Sequence, residues 1–261
     1  MKIASPRIRN HLLLLVASSL PVLAVDAETL NVAVANNFSH TLKLLSVDFT
    51  RQTGHHLRIS SASTGKLYTQ IQHGAPFDIY LAADEERPEL LLDENKAEAD
   101  SAFIYATGKL VLMSNIDISA LEFADGVCQD VLRSAQLKRL AIANPRTAPY
   151  GLAAKQVMQK LELWQQLQPR LVKGENIAQA FQFVITKNAQ AGFVAKSLLG
   201  VNENIIPACI WDIPMELYSP INQKMVVLSK AKDKVSAYAF LKYIRSVGAK
   251  AIIRSSGYDV M

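Results

Sequence analysis

Four short stretches of this sequence open a helix-like run without an acidic residue. They are Asn36-Asn37-Phe38-Ser39-His40, Ser61-Ala62-Ser63-Thr64-Gly65-Lys66, Pro149-Tyr150-Gly151-Leu152 and Asn176-Ile177-Ala178-Gln179. The first turn of a helix leaves backbone N–H groups unpaired and carries roughly half a unit of positive charge. Ordinary helices answer that field with Asp or Glu, as Asp84-Glu85-Glu86 and Asp233 do elsewhere in this chain. The four exceptions place small, hydroxyl or amide residues there instead. Free N–H groups in the field of the helix dipole bind oxyanions. Any one of these starts, taken singly, reads as an ordinary Asn, Ser or Thr cap. Four together, two early and two late in the chain, point to an anion gripped from two sides. Gly65 and Gly151 would let the backbone approach such a ligand closely. Lys66 is the cation nearest these starts, and it reads as an exposed first-turn lysine. A site built from neutral dipoles suits a small dianion that must be released again.

Other chemistry-bearing residues fit enzymatic readings poorly. His55-His56 follows Gly54 in an expected turn and lacks the spacing of a zinc site, so both read as solvated loop residues. Asp78 and Asp84 could pass for a carboxylate pair, but they bracket a strand end and are assigned no catalytic role. The chain has no Gly-x-Ser-x-Gly elbow, Walker loop or dinucleotide fingerprint, which disfavours a secreted hydrolase or a nucleotide enzyme. Cys128 and Cys209 are the only cysteines and fit no metal-ligand spacing. They are either one bridge or two buried thiols.

The elements that must position the four starts alternate between strand and helix. Leu30–Ala35 reads as a buried strand, and Ser39–Gln52 as a helix with Phe38, Leu42, Leu45 and Phe49 along one face. Strands over 57–60 and 77–82 and helices over 66–72 and 85–94 follow. Such alternation implies parallel strands with right-handed crossovers. Near Phe103 the pattern changes to two consecutive extended runs, 102–106 and 109–113. A second series then has strands over 140–143 and 191–194 and helices over 152–161 and 177–186. A strand over 225–228 and a last helix over 233–245 close the chain. The pattern predicts an α/β protein of two lobes joined by two extended crossings, near 107–112 and 208–214. The lobes would be 28–108 plus 213–261, and 109–212.

The first 27 residues read as a secretory signal: a basic head of Lys2, Arg7 and Arg9, an apolar stretch to about Val25, then Val25-Asp26-Ala27 at the cut. Ser18, Ser19 and Pro21 interrupt that stretch, which suits a bilayer span poorly. No cysteine lies near the cut to carry a lipid. Export would place the chain in an oxidising compartment, where a Cys128–Cys209 bridge can persist. The whole chain has 28 Lys+Arg and 23 Asp+Glu; the leader carries three and one of these, leaving 25 and 22, a formal +3. That balance, without a basic stripe or interleaved aromatics, argues against nucleic acid.

Several motifs carry a family resemblance that runs from Leu30 to about Gly257. They are Val34-Ala35-Asn36-Asn37-Phe38, Ser63-Thr64-Gly65-Lys66-Leu67, Gly74-Ala75-Pro76-Phe77-Asp78 continuing to Ala82-Ala83-Asp84, and Ala143-Asn144-Pro145 with Ala148-Pro149-Tyr150-Gly151. The sequence resembles the periplasmic molybdate-binding proteins that feed ABC-type importers. The resemblance implies a two-lobed type II periplasmic binding protein fold with two hinge crossings. It implies capture of molybdate or tungstate in the interlobe cleft, delivery to an ABC permease of the inner membrane, no cofactor, no catalysis, and a monomer. Carried over motif by motif, the expected ligand contacts are Asn37 with Asn36 beside it, Thr64 with Ser63, the backbone donor of Tyr150, and Ile177 through its N–H. Some members supply a tyrosine hydroxyl where this chain has Ala195, and some have serine where it has Asn37. Asn36, Asn37 and the hydroxyl of Tyr150 are the expected substitutes. Sulfate and phosphate are the rival tetrahedral anions. Ferric ion would need clustered tyrosines with carboxylate or histidine ligands, and Tyr150 is the single tyrosine in the four segments.

Overall fold

The computed structural model describes residues 28–120, 127–201 and 206–260. The leader expected over 1–27 lies outside them. The chain opens with strand β1 (Thr29–Ala35), a 3-10 turn over Asn36–Phe38 and helix α1 (Ser39–Thr53). Phe38, Leu42, Leu45 and Phe49 are all fully buried. Their 3.6-residue spacing makes the stripe that pins α1 to the sheet, each side chain contributing about 1.5–3 kcal/mol. Gly54 ends the helix in the left-handed conformation, at φ 80°. β2 (His56–Ala62), α2 (Thr64–Gln72), β3 (Ile79–Leu81) and α3 (Glu86–Asp93) continue the alternation. Asp78 accepts from the backbone N–H groups of Asn31 at 2.7 Å and Lys232 at 2.8 Å, tying β1 to the loop before the seventh helix.

β4 (Phe103–Gly108) and β5 (Leu110–Ser114) follow each other directly but belong to different sheets, so the chain crosses at Lys109. Next come β6 (Leu140–Ala143), α4 (Pro149–Lys160), a short α5 (Trp164–Leu167), β7 (Leu171–Gly174), α6 (Ile177–Ile185), β8 (Ala191–Ala195) and β9 (Cys209–Asp212). β10 (Ile221–Val227), α7 (Lys234–Ile244) and α8 (Val247–Ser255) close the chain. One five-stranded sheet has the order β2-β1-β3-β10-β4, the other β7-β6-β8-β5-β9. In each, three strands are parallel, and the strand entering from the other sheet, β10 or β5, runs antiparallel between its neighbours.

Four details depart from the sequence reading. The stretch 209–212 is a strand paired with β5, so the second crossing lies between Asp212 and Ile221. α7 is not the last helix: Ser246 caps α8, accepting from the Ala249 N–H at 3.2 Å. β7 is too short and polar-ended, Leu-Val-Lys-Gly, to show a period of its own. His55 is no solvated loop residue. It is 7% exposed, accepts from the Glu28 N–H at 3.3 Å, packs beside Phe49 and meets Ser236 Oγ at 3.4 Å. The chain reverses at Gly54 and brings His55 back over α1, while His56 starts β2 facing solvent.

Cys128 and Cys209 are joined as a disulfide, with Cα atoms 5.6 Å apart. The bridge fastens the 3-10 segment Cys128–Arg133 to β9 at the edge of the second sheet. In the chain-entropy account, a loop of that length stabilises by about 4 kcal/mol. Denatured, unreduced protein is expected to titrate no free thiol, and reduction is expected to lower the urea midpoint. Two thiols per chain before reduction would refute the bridge.

Candidate functional site

The carboxyl ends of β1, β2, β6 and β7 run into the four acid-free helix starts. Parallel α/β sheets bind ligands at these ends, beyond the strands' last residues. Asn36, Asn37, Ser63, Thr64, Tyr150 and Ile177 all line one cavity between the sheets. It is much smaller than the open cleft beside it.

Three of the four starts have no side-chain cap. Ala35 and Ala148 precede the first-turn residues at Asn36 and Pro149, and Ser63 precedes α2 without bonding back to it. The contrast lies in helices away from the cavity. Asp233 caps α7 through the Ser236 N–H, Ser246 caps α8, and Asp84 accepts from the Arg87 N–H at the start of α3. At α6 the Asn176 side chain accepts from the Gln179 N–H at 3.0 Å, which leaves the Ile177 N–H ahead of it unclaimed by that cap. Pro149 has no N–H, so Tyr150 carries the first donor of α4.

Hydroxyls are oriented by what else they hold. Thr64 Oγ1 accepts from the Ala83 N–H at 3.2 Å, which leaves its own proton to donate. Ser63 is buried and spends nothing on capping. Asn36 Oδ1 is buried without a partner, alone in this among side-chain polar atoms of the described residues. An orphaned polar atom costs about 1–3 kcal/mol. Turning the amide by half a turn puts Nδ2 in its place and offers an anion one more donor.

One expected donor is employed elsewhere, and a second is held by a neighbour. Asn37 Nδ2 donates to Gln223 Oε1 at 2.8 Å and to the Tyr258 hydroxyl at 3.1 Å. Asn37 therefore offers the cavity its backbone, not its amide. The Tyr150 hydroxyl accepts from Gln223 Nε2 at 3.3 Å and abuts Gly108, where a Cβ would lie 2.1 Å from it. Its own proton is not spent in that bond, and Ala195, where some members carry a tyrosine, is buried in β8. Among the described residues Tyr150 is the only titratable one lining the cavity, and burial pushes its phenol well above the usual range, so this lining stays neutral.

The two glycines also have other duties. A Cβ at Gly151 would lie 2.3 Å from the Ala143 carbonyl oxygen, so this glycine lets α4 pack on the end of β6. Gly65 donates its N–H to the Thr147 carbonyl of the opposite lobe at 2.9 Å. A Cβ there would lie 3.2 Å from Thr147 Cα and carbonyl oxygen. Gly65 thus gives clearance to the other lobe rather than to a ligand. Lys66 also spans the cleft, 3.6 Å from Glu175, with both side chains largely exposed. Such a pair contributes little to stability. Asp84 flanks the wider cleft; burial raises its carboxyl above the ordinary range, and the Arg87 guanidinium beside it offsets part of that rise. Among the described residues no three His, Cys, Asp or Glu side chains gather as metal ligands.

The profile of a family described as bacterial extracellular solute-binding protein matches residues 30–259. The chain belongs to that family. Within it, the chain is 41% identical to the molybdate-binding protein ModA of Azotobacter vinelandii, covering 96% of this chain and 98% of that one. It is 40% identical to ModA of Rhodobacter capsulatus, covering 87% and 86%. The solved Azotobacter vinelandii periplasmic molybdate-binding protein superimposes with a TM-score of 0.82, at 38% identity over 89% of this chain and 99% of that chain. The fold of this solute-binding protein is the two-lobed type II arrangement, and its family binds solutes rather than transforming them.

The close approach at Gly65 allows a test of closure. Gly65→Val is expected to hold the lobes apart, raising the radius of gyration under conditions where the wild type is closed. Valine is a better helix former than glycine, so the variant's urea midpoint should not fall on that account. Identical scattering for the two proteins would show that Thr147 yields.

Proposed function

We propose that this protein captures molybdate or tungstate in the cavity between its lobes, in the periplasm, and delivers the ion to an ABC permease in the inner membrane. The observation that carries the reading is the convergence of four helix starts from two sheets on one neutral cavity. Their first N–H groups and the hydroxyls of Ser63 and Thr64 replace the water shell of a tetrahedral dianion. Asn36, Asn37, Ser63, Thr64, Tyr150 and Ile177 hold the ion, Asn37, Tyr150 and Ile177 through backbone N–H. Residues 28–108 plus 213–261 form one lobe and 109–212 the other, and the receptor acts as a monomer. Support comes from the 41% identity to a molybdate-binding protein over nearly the whole chain.

Size separates molybdate and tungstate from sulfate and phosphate, because Mo–O and W–O bonds are longer than S–O and P–O bonds. In a rigid ring of donors, a smaller anion leaves some unpaired, each costing about 1–3 kcal/mol. Calorimetric titration with the four anions is expected to show tight binding of molybdate and tungstate, and sulfate weaker by at least two orders of magnitude. Equal affinity for sulfate would defeat the specificity.

Thr64→Val removes a hydrogen bond to a charged oxygen, worth about 1.5–3 kcal/mol, so affinity is expected to fall by about 10- to 100-fold. Asn37→Asp adds a like charge beside the anion and is expected to weaken binding further. Unchanged affinity in both would remove these residues from the site. No group of the lining titrates near neutrality, so affinity should stay flat from about pH 6 to 9. A step inside that window would mean that a charged side chain reaches the ion.

A further inference from the structure

Behind the cavity lies a buried polar cluster that shares Asn37 and Tyr150 with the cavity lining. At its centre is Gln223, 0% exposed, on the strand that enters the first sheet from the other lobe. Its Oε1 accepts from Asn37 Nδ2 at 2.8 Å and stands 3.0 Å from the Tyr105 hydroxyl. Its Nε2 donates to the Tyr150 hydroxyl at 3.3 Å. Asn37 and Tyr150 sit on the two helix starts that face each other across the cleft. Gln223 pairs with Ala106 in β4, and a bulge follows it at Lys224. It therefore lies beside the crossing at Lys109. Gly108 alone leaves room for the Tyr150 ring there, since a Cβ would overlap its hydroxyl.

We propose that Gln223 is a positioning residue, which locks the Asn37 and Tyr150 backbone donors in one mutual arrangement and so couples hinge closure to anion binding. This rests on the reading of the cavity as the oxyanion site. The chemistry asks for a glutamine. One end must accept from the Asn37 amide, and the other must donate to a phenol. Glutamate has no donor when ionised, and asparagine is one methylene short. Tyr105 and Tyr150 are both pushed well above the ordinary phenol range by burial, so the cluster stays uncharged beside an anion. The Asn37 peptide is further held by its own carbonyl, which accepts from Tyr258 at 2.7 Å. With the amide of Asn37 engaged in this way, its N–H is aimed by the side chain it belongs to.

The test measures molybdate binding and release for the wild type, Gln223→Met, Asn37→Ala and the double variant, with urea midpoints for each. Gln223→Met keeps the volume and removes both ends of the link. It is expected to weaken binding about tenfold or more, chiefly through faster release, and the double variant should be no weaker than the worse single. A merely structural role would lower the urea midpoint and leave the release rate unchanged, and that result overturns the proposal. So does affinity within twofold of the wild type. Should Gln223→Met fail to fold, Tyr150→Phe removes only the phenol end and leaves the backbone donor; several-fold faster release supports the link, and unchanged release refutes it. Wild-type protein that binds no molybdate would refute the reading of the site itself, a separate outcome.

Discussion

At the carboxyl ends of β1, β2, β6 and β7 the chain turns into a helix whose first N–H groups cannot be paired from within. Elsewhere in the molecule, Asp84, Asp233 and Ser246 absorb that deficit with their own side chains. At the cleft, Ala35, Ser63 and Ala148 leave it open. Buried donors without partners are costly, so these ends must meet either water or an anion. Closing the lobes removes the water. Occupancy and closure therefore become two aspects of one equilibrium, and an ion present only in the closed form stabilises that form by its own binding free energy.

Neutrality shapes the rest. Among the described residues no cation reaches the cavity lining: Lys66 is turned to Glu175 and Arg87 to Asp84. Two contacts between the lobes are likewise uncharged, the Gly65–Thr147 hydrogen bond and the glutamine–tyrosine cluster at the hinge. Short-range dipoles of fixed geometry are sensitive to the radius of what they surround. A full charge in their place would attract any anion with much the same force at every size.

Much of this was legible in the sequence because its signals are local. The stripe of Phe38, Leu42, Leu45 and Phe49, the glycine after α1 and the absence of acids at four starts each depend on a few neighbouring residues. The six candidate site residues follow from those starts together with the family motifs, and they line one cavity. What escaped depends on distant partners. Gln223 acquires its role from contacts with Asn37 and Tyr150, 186 and 73 positions away. His55 is buried because α7 lies over it through Ser236. Gly65 and Gly151 look alike in sequence, yet one clears the opposite lobe and the other the end of its own strand. The amide of Asn37 is a chemically able donor that the hinge cluster claims first, and the same cluster holds the hydroxyl of Tyr150 by donating to it. Composition names a donor; only the assembled fold says where it is spent.

β10 occupies an interior place in the first sheet, between β3 and β4, although it lies more than a hundred residues after either. The second sheet, by contrast, is drawn from one unbroken stretch of chain. A ribosome or a translocation pore delivering the polypeptide from its amino end releases every strand of the second sheet before the piece that knits the first. Until β10 emerges, β3 and β4 have no shared neighbour, and the sheet they belong to stays in halves. Long-range pairing of this kind is slow to form. The order of the strands thus favours a thread that remains pliable through most of its passage and locks only when its tail arrives.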